Sequence, residues 1–146
     1  MIKKISAAQA YPLRQAILRP DGIIADCQFD GDELASTMHF GLFDGDALVA
    51  IASVYYRDYE SNEYYVGKGY QLRSMAVAKT VQGQGKGQQL LTAICDEMKA
   101  MDVDYLWANA RVSAITFYQQ ADFDISPAVF DIADVGPHQH IVKRFN

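Results

Sequence analysis

A glycine-rich turn between a predicted strand and a predicted helix constrains this chain more than any other feature of its sequence. The turn, Gln82–Gly87, reads Gln-Gly-Gln-Gly-Lys-Gly and follows an apolar, strand-like segment, Leu72–Val77. After the turn, apolar side chains that share one face predict a helix over residues 88–101. These side chains are Leu90, Leu91, Ile94, Met98 and Met101. Because the first N–H groups of a helix have no internal partner and its dipole favours negative charge there, this arrangement predicts a phosphate-binding site.

The spacing inside the turn excludes two common phosphate-binding motifs. A nucleoside-triphosphate loop requires a serine or threonine after Gly-Lys, whereas Gly85-Lys86 is followed by Gly87, which has no hydroxyl for magnesium. A dinucleotide-binding turn requires a glycine at the position of Gln88 and a place near the start of a βαβ unit. What remains, Gln-x-x-Gly-x-Gly after a strand, resembles the acetyl-CoA pyrophosphate loop of the GNAT family of N-acetyltransferases.

A second segment carries the same resemblance. A polar-ended apolar strand, Leu106–Arg111, precedes a predicted short helix, Ala114–Gln120, that Ser113 is placed to cap. The segment is similar to the family's Asn…Ala-x-x-Phe-Tyr-x-x-x-Gly-Phe pattern, except that Asp122 stands in place of the glycine. A helix often ends in a left-handed residue, and Asp is one of the few alternatives to glycine there. The departure therefore leaves the expected fold intact.

Length and composition predict one domain over residues 1–146, since half of the 146 residues are hydrophobic and no linker or repeat interrupts them. The longest apolar runs fall far short of the ~20 residues that span a bilayer, and Met1–Lys4 lacks the apolar stretch expected of a signal peptide. The two cysteines, Cys27 and Cys95, match no metal-binding spacing, and Cys95 is expected in the core. We therefore expect a cytoplasmic protein with no membrane partner and no metal.

The distribution of charge points to an anionic ligand. The net charge of −5 argues against a nucleic-acid partner. Residues 64–95 contain no Asp or Glu but include Lys68, Arg73, Lys79 and Lys86. Chance is the alternative explanation for a run of this length. The absence of acids around the glycine turn favours a polyanion at that position.

The order of predicted elements is that of a mixed α/β (α+β) sheet. Periodicity and turn residues predict strands at 2–6, 36–43, 47–56, 71–77, 105–109, 128–132 and 140–145, with helices at 6–18, 88–101 and 114–120. Ser6 and Gln9 are spaced as a capping box, and Asp44-Gly45-Asp46 is a hairpin turn. The resemblance adds a twisted central sheet with splayed fourth and fifth strands and helices on both faces.

The resemblance also implies how acetyl-CoA is held as co-substrate. In the family the pantetheine arm pairs with backbone groups of the fourth strand, here Met75, Ala76 and Val77, and the Val77 N–H faces the oxyanion of the tetrahedral intermediate. Side chains of Met75 and Val77 are equally expected in the strand core. The pyrophosphate contacts are Gln82, Gly83, Gln84, Gly85, Lys86, Gly87 and Gln88. Lys86 is either a cation for the ligand or a solvated loop lysine.

Three further residues match the family pattern beside the carrier. Asn109 either hydrogen-bonds the pantetheine or caps the turn that follows its strand. Phe117 and Tyr118 correspond to the family's aromatic pair. The Tyr118 phenol is the candidate general acid that gives a proton to the departing CoA thiolate, and its alternative role is a core tyrosine.

The acceptor side is less marked in the sequence. Glu60 and Glu63 lie in a tyrosine-rich segment and either bind a cationic amine or form a solvated loop. His138, in Gly136-Pro137-His138, either faces the acceptor or shapes a turn before the last strand, and His39 is expected to be structural. No carboxylate is marked out as the general base.

Three functional classes fit these features. The leading prediction is an enzyme, an N-acetyltransferase that moves acetyl from acetyl-CoA to a primary amine of a small molecule or peptide by direct attack. The alternatives are a non-catalytic acyl-CoA-binding sensor and a nucleotide-binding protein. The glycine spacing disfavours the nucleotide-binding protein, and the presence of Tyr118 disfavours the sensor. Dimers are frequent in the family, so a homodimer is one expectation for this chain.

Overall fold

The structure, a computed structural model, describes residues 1–59 and 66–145. In these residues the strands are β1 (Ile2–Ile5), β2 (Met38–Asp44), β3 (Ala47–Tyr56), β4 (Gly69–Val77), β5 (Tyr105–Arg111), β6 (Asp124–Ile132) and β7 (Gly136–Arg144). The α-helices are α1 (Ala7–Leu13), α2 (Lys86–Ala100) and α3 (Ile115–Gln120). The strands form one hydrogen-bonded sheet in the order β1-β2-β3-β4-β5-β7-β6. Because β4 and β5 are parallel whereas β1–β2, β2–β3, β5–β7 and β6–β7 are antiparallel, the predicted mixed α/β sheet is confirmed.

The chain packs as two compact units. The first contains Met1–Tyr56 and Leu72–Ile94, and the second contains Arg57–Gln71 and Cys95–Asn146. Two elements, β4 and α2, run from one unit into the other. That residues 1–146 form a single domain stays a prediction.

The first unit begins with the predicted capping box. Ser6 Oγ accepts from the Gln9 N–H at 3.2 Å, and Gln9 Oε1 accepts from the Ser6 N–H at 2.9 Å. Both bonds satisfy N–H groups that the first turn of a helix leaves without partners. The α-helical hydrogen bonding ends at Leu13, and residues Arg14–Leu18 continue as a π-helical turn. The predicted helix over 6–18 is therefore present but changes its hydrogen-bonding pattern after the first two turns.

The predicted hairpin joins β2 and β3. Asp44 pairs with Ala47, so Gly45 and Asp46 form a two-residue loop, and Gly45 has a φ of +59°. Short hairpin loops require this left-handed conformation, which glycine adopts without steric cost. The buried face of β3 contributes to a core of Ala10, Ile51 and Ala76, on which Ile5, Leu13, Ile17, Leu18 and Leu48 pack.

A buried polar cluster, which we call the Arg14 network, lies in the first unit. It consists of Arg14, Asp32, His39, Ser53 and Tyr55. The Arg14 guanidinium donates to both Asp32 oxygens at 2.8 and 3.1 Å and to Ser53 Oγ at 3.0 Å. His39 Nε2 donates to the Asp32 carbonyl at 2.9 Å, and its Nδ1 lies 2.6 Å from Ser53 Oγ. Both ring nitrogens of His39 are thus used internally, in agreement with the structural role predicted for it.

Hydrogen bonding sets the charges of this network. Burial raises the pKa of Asp32, but hydrogen bonds from Arg14, the Tyr55 hydroxyl and the Phe29 N–H outweigh it, so that the pKa of Asp32 is lowered overall. Burial and the bond to Asp32 raise the pKa of Tyr55 to about 12. The network therefore holds one ion pair and one neutral phenol at physiological pH.

In the second unit, β5 pairs in parallel with the first three residues of β4, from Gly69↔Tyr105 to Gln71↔Trp107. Its other edge makes seven antiparallel pairs with β7, from Tyr105↔Arg144 to Arg111↔His138. The β4–β5 register comprises three pairs, and both strands continue beyond them; the divergence of these strands stays a prediction. A core of Tyr105, Trp107 and Val142, with Tyr59 against it, fills this unit beside β5.

Two predicted elements of this unit are corrected. The last strand begins at Gly136 rather than residue 140, because Gly136 pairs with Ile132 and closes a hairpin over Asp134, which has a φ of +64°. His138 is therefore a strand residue and does not shape a turn. Ser113 does not cap α3, because Val112–Ala114 form a 3₁₀ turn and Ala114 is the residue that starts the helix, without a side-chain cap.

Candidate functional site

The glycine turn has an open backbone at the N-terminus of α2. Gly83 and Gly85 have φ values of +79° and +77°, and a Cβ placed on either would have no neighbour within 4 Å. Glycine is thus needed at both positions for conformation and not because neighbours crowd them. The Gln89 N–H bonds to the Gly85 carbonyl at 3.0 Å, which leaves the N–H groups of Lys86 and Gly87 at the free end of the helix. No acidic residue occupies the first turn of α2. The predicted conditions for an anion site are met in the backbone.

The Gln82 side chain connects this turn to the end of β4. Gln82 Nε2 donates to the Val77 carbonyl at 2.9 Å, and Gln82 itself is exposed. A 3₁₀ turn, Lys79–Val81, lies between the two residues and is closed by a bond from the Val81 N–H to the Ala78 carbonyl at 3.0 Å. The side chain predicted to contact pyrophosphate therefore also fixes the loop against the strand that precedes it.

An irregularity in β4 lies just before the predicted pantetheine positions. Ser74 has a φ of +62°, which non-glycine residues rarely adopt and which costs of the order of 1–2 kcal/mol. Its hydroxyl is buried and has no hydrogen-bond partner among the described residues. Backbone strain of this kind is often retained at functional sites. Sequence analysis missed this feature, because nothing in Leu-Arg-Ser-Met-Ala-Val distinguishes Ser74 from a regular strand residue.

Side-chain contacts show what the irregularity does. Arg73 stacks its guanidinium 4.5 Å from the Phe29 ring and 5.6 Å from the Tyr55 ring, while Ala76 packs on Ile51. Ile51 and Tyr55 lie four residues apart in β3 and therefore on one face of the sheet. Residues 73 and 76 reach that same face, which a regular strand with a period of two does not allow. The left-handed Ser74 lies between these two positions, immediately before Met75, Ala76 and Val77; Ala76 is buried, and Met75 and Val77 are half-buried.

The candidate general acid lies on α3 in the second unit. Tyr118 is 7% exposed, and its ring meets Phe117 and Phe123 edge to face at 5.0 and 5.5 Å between centroids. Burial raises the pKa of the Tyr118 phenol well above its usual value, so the hydroxyl stays protonated at neutral pH. A phenol in this state can donate a proton but cannot serve as a resting-state base. Burial and ring packing are also the environment of a core tyrosine, and the acid role of Tyr118 stays a prediction.

The end of α3 explains the Asp122 departure from the family pattern. The Phe123 N–H bonds to the Tyr118 carbonyl at 3.1 Å, and the Asp122 N–H bonds to the Gln119 carbonyl at 3.0 Å. These two bonds form a Schellman end, which needs a left-handed residue, and Asp122 has a φ of +65°. The prediction that Asp takes the place of glycine here is confirmed.

One face of the β5–β7 ribbon collects aromatic and polar side chains, and we call it the β5–β7 face. Directly opposed residues of an antiparallel pair point to the same side, so the pairs Trp107↔Val142, Asn109↔His140 and Arg111↔His138 share this face. The Tyr59 ring stacks on His140 with 3.8 Å between centroids and an angle of 12°. Burial lowers the pKa of His140 to about 4, so this imidazole is neutral. Asn109, at the same face, is exposed.

Comparison with known proteins agrees with this geometry. The profile of the acetyltransferase (GNAT) family matches residues 6–123 of the sequence. The chain belongs to the GNAT acetyltransferase family. It is therefore an acyltransferase, and acetyl transfer is the general chemistry of its family.

Individual relatives of this acetyltransferase cover it almost completely. YitI of Bacillus subtilis strain 168, an uncharacterised N-acetyltransferase, is 28% identical over 94% of this chain and 91% of its own. The structure of a protein from Lactobacillus plantarum assigned as an N-acetyltransferase is 24% identical, covers 99% of both chains and has a TM-score of 0.75. A GNAT acetyltransferase from Elizabethkingia anophelis, solved with acetyl-CoA bound, is 17% identical, with coverage of 99% and 97% and a TM-score of 0.71. These two structural likenesses concern the fold.

The predicted residues of this acetyltransferase are distributed over both units. The first unit carries Met75, Ala76, Val77 and the turn from Gln82 to Gln88, and the second carries Asn109, Phe117, Tyr118 and His138. Glu60 and Glu63 lie outside the described residues. Within the described part of the chain, no helix is long and apolar enough to cross a membrane, and no group of three metal-ligating side chains occurs.

Proposed function

We propose that this acetyltransferase transfers the acetyl group of acetyl-CoA to a primary amine of a small molecule or peptide. The observation that carries the proposal is the glycine turn, with two left-handed glycines in open space at the start of a helix that has no acid in its first turn. Such a turn suits the pyrophosphate of CoA, because its N–H groups converge on one anion. Lys86, half-buried at the first position of α2, adds the cation of the site.

The proposed carrier contacts continue along β4. Backbone groups of Met75, Ala76 and Val77 pair with the pantetheine arm, and Asn109 hydrogen-bonds it from β5. The Val77 N–H stabilises the oxyanion that forms when the amine attacks the thioester carbonyl, an effect worth about 3 kcal/mol for a preorganised donor. The left-handed Ser74 supports this assignment, because it interrupts regular strand geometry just before the three residues proposed to pair with the carrier.

The proposed reaction is direct attack, without a covalent intermediate on the protein. The amine nitrogen forms a bond to the thioester carbon, the C–S bond breaks, and the Tyr118 hydroxyl gives its proton to the departing thiolate. The phenol then regains a proton that leaves the nitrogen. The Tyr118 phenol is protonated at neutral pH, as a proton donor must be, although burial raises its pKa and so makes it a weaker acid than an exposed tyrosine.

We further propose that the enzyme works in the cytoplasm. Both cysteines are free and buried, and burial raises the pKa of each thiol, which leaves them unreactive. A reduced compartment is the usual setting for a chain with free thiols and no disulfide.

Ligand binding and turnover test the proposal together. Acetyl-CoA and CoA should raise the Tm of the purified protein, whereas ATP and NAD should not, because stabilisation requires selective binding to the folded state. Thiol release from acetyl-CoA is then measured with spermidine, tyramine, kanamycin, methionine and an alanyl tripeptide as acceptors. Stabilisation by ATP or NAD instead of CoA would contradict the proposal that acetyl-CoA is the acetyl donor. If CoA binds but none of the amines causes thiol release from acetyl-CoA, the proposal that the acceptor is a primary amine is contradicted.

A further inference from the structure

The hydrogen bonding of His138 fixes which of its nitrogens can accept a proton. His138 Nδ1 lies 2.7 Å from the Gly136 carbonyl. A carbonyl oxygen only accepts, so Nδ1 carries the hydrogen, and a neutral ring then has its lone pair on Nε2. In the described part of the chain, His138 makes no other hydrogen bond, although it is only 4% exposed. The fold therefore presents Nε2 as a preset acceptor.

The register of β5 and β7 places this acceptor among the proposed carrier contacts. His138 is opposite Arg111, and Asn109 is opposite His140, two residues along the ribbon. On the β5–β7 face, directly opposed Cβ atoms are about 5 Å apart and diagonal neighbours about 7–8 Å. His138 is thus a diagonal neighbour of Asn109, the residue proposed to bond the pantetheine. The chain that leaves β5 at Arg111 enters α3, which carries Tyr118, after one 3₁₀ turn.

The described carboxylate on this face is Asp124 of β6, which is opposite Val142, four residues along β7 from His138. Arg111 faces His138 from β5, the Phe130 ring lies 6.1 Å away on β6, and His140 lies two residues along its own strand. Asp131 follows Phe130 in β6, pairs with Pro137 and so points to the opposite face. Two imidazoles therefore lie near Asn109, His140 directly opposite and His138 diagonal to it, and the bond from Nδ1 to the Gly136 carbonyl fixes the lone pair of His138 on Nε2.

We propose that His138 is the general base of the reaction, a role that rests on the proposed function. The acceptor arrives as an ammonium ion, which cannot attack until it loses a proton. His138 Nε2 takes that proton, and Nδ1 keeps its bond to the Gly136 carbonyl while the imidazolium forms. The neutral amine attacks the thioester, the Tyr118 proton goes to the thiolate, and the second proton from nitrogen restores Tyr118. The imidazolium releases its proton to solvent, so each turnover yields the amide, CoA thiol and one proton.

The tautomer can be tested without any acceptor. In protein with ¹⁵N-labelled histidine at pH 8, long-range ¹H–¹⁵N correlation spectra should show His138 with hydrogen on Nδ1 and a bare Nε2. The spectrum of His138→Gln assigns the signal. A hydrogen on Nε2 would overturn the proposal whatever the enzyme acetylates.

Kinetics test the proton transfer itself. For the acceptor of the panel with the highest turnover, kcat/KM of the native enzyme should fall at acidic pH as the base becomes protonated. His138→Gln should lower kcat by roughly 10²–10³, leave CoA affinity by calorimetry unchanged and lose the acidic limb. Imidazole added to His138→Ala should restore part of the rate. His140→Phe, the matched control on the same face, should keep the acidic limb.

The outcomes separate the two claims. If the native enzyme releases no thiol with any amine, the proposed function is contradicted, and so is the general-base role of His138, which rests on it. Should the native enzyme turn over while His138→Gln keeps its rate and its acidic limb, the general base is not His138 and the proposed function stands.

Discussion

The two units use their polar side chains in different ways. In the first unit, all five side chains of the Arg14 network bond to one another or to nearby backbone, including an Arg14–Asp32 ion pair with two hydrogen bonds. On the β5–β7 face of the second unit, Asn109 is exposed and His138 uses one nitrogen for a carbonyl. A polar network whose side chains bond to one another stabilises its fold, here with Arg14 Nε as the one buried donor left without a partner among the described residues of the network. A polar group with a remaining donor or acceptor beside a site can serve a ligand. The comparison distinguishes residues that stabilise from residues that react.

The largest effect we expect is on stability, from removing one partner of the Arg14 network. Asp32→Ala leaves the Arg14 guanidinium buried without its carboxylate, which costs about 3–5 kcal/mol when a buried ion pair is broken. The free energy of unfolding is measured by urea denaturation at pH 7. Asp30→Ala, which removes an exposed carboxylate two residues away, is the matched control and should change stability by less than about 0.5 kcal/mol.

At a temperature where Asp32→Ala remains folded, its kcat should match that of the native enzyme. A large loss of kcat with normal CoA affinity would show that the Arg14 network takes part in catalysis and does not only stabilise the fold.

The second prediction concerns the reacting residues. Tyr118→Phe keeps the ring and its contacts with Phe117 and Phe123 but deletes the hydroxyl, so stability and CoA affinity should change little. Turnover at saturating acetyl-CoA should fall by roughly 10²–10⁴, the range for a lost general acid. Tyr11→Phe, a hydroxyl deletion on α1, should leave kcat intact. A near-normal kcat for Tyr118→Phe would show that Tyr118 is a core residue and not the general acid.

The third prediction concerns the pH dependence of stability, which His140 of the second unit and Asp32 of the first unit affect in different pH ranges. The folded-state pKa of His140 is lowered to about 4, below the ~6.5 of an unfolded chain. The unfolded state therefore binds more protons between these values, and stability that is present above pH 6.5 is lost as the pH falls towards 4. The loss reaches at most about 3 kcal/mol at pH 4.

His140→Phe keeps an aromatic ring against Tyr59 and removes the titration, so the stability of this variant should vary less between pH 6.5 and 4. The lowered pKa of Asp32 acts in a different window, because its contribution is lost only as the pH falls below about 4. Equal slopes for the native and His140→Phe proteins between pH 6.5 and 4 would contradict the assignment.

The sequence predicted correctly those elements whose conformation depends on interactions between residues close together in the chain. The capping box of Ser6 and Gln9, the Asp44-Gly45-Asp46 hairpin and the left-handed Asp122 are each governed by residues within a few positions of one another. The apolar face of α2 was predicted by its spacing, and Leu90, Leu91, Ile94 and Met98 are all buried. The glycine turn belongs to the same class, because its conformation depends on its own residues.

Non-local contacts decided what the sequence could not predict. Arg14 and Asp32 are 18 positions apart, and Arg14 and Tyr55 are 41 apart, so no short pattern signals their pairing. Ser74 takes its left-handed conformation inside an ordinary apolar run, and β7 starts early because Gly136 finds its partner in β6. His138 was noticed as a residue, but its tautomer follows from a carbonyl that only the folded strand brings close.

The smallest effect we expect separates conformation from binding within the first unit. Gly45 and Gly85 both have positive φ, and neither has a neighbour within 4 Å of an added Cβ. Changing either to Ala should therefore cost about 1 kcal/mol of stability through backbone strain alone. Gly85→Ala also puts a methyl group into the space proposed for the pyrophosphate, so the Kd for CoA should rise about tenfold, or about 1.4 kcal/mol. Gly45→Ala lies in the β2–β3 hairpin and should leave that Kd unchanged in calorimetry. Equal Kd values for the two variants would show that Gly85 is needed only for the conformation of the Gln82–Gly87 turn. They would contradict the proposal that this turn binds the pyrophosphate.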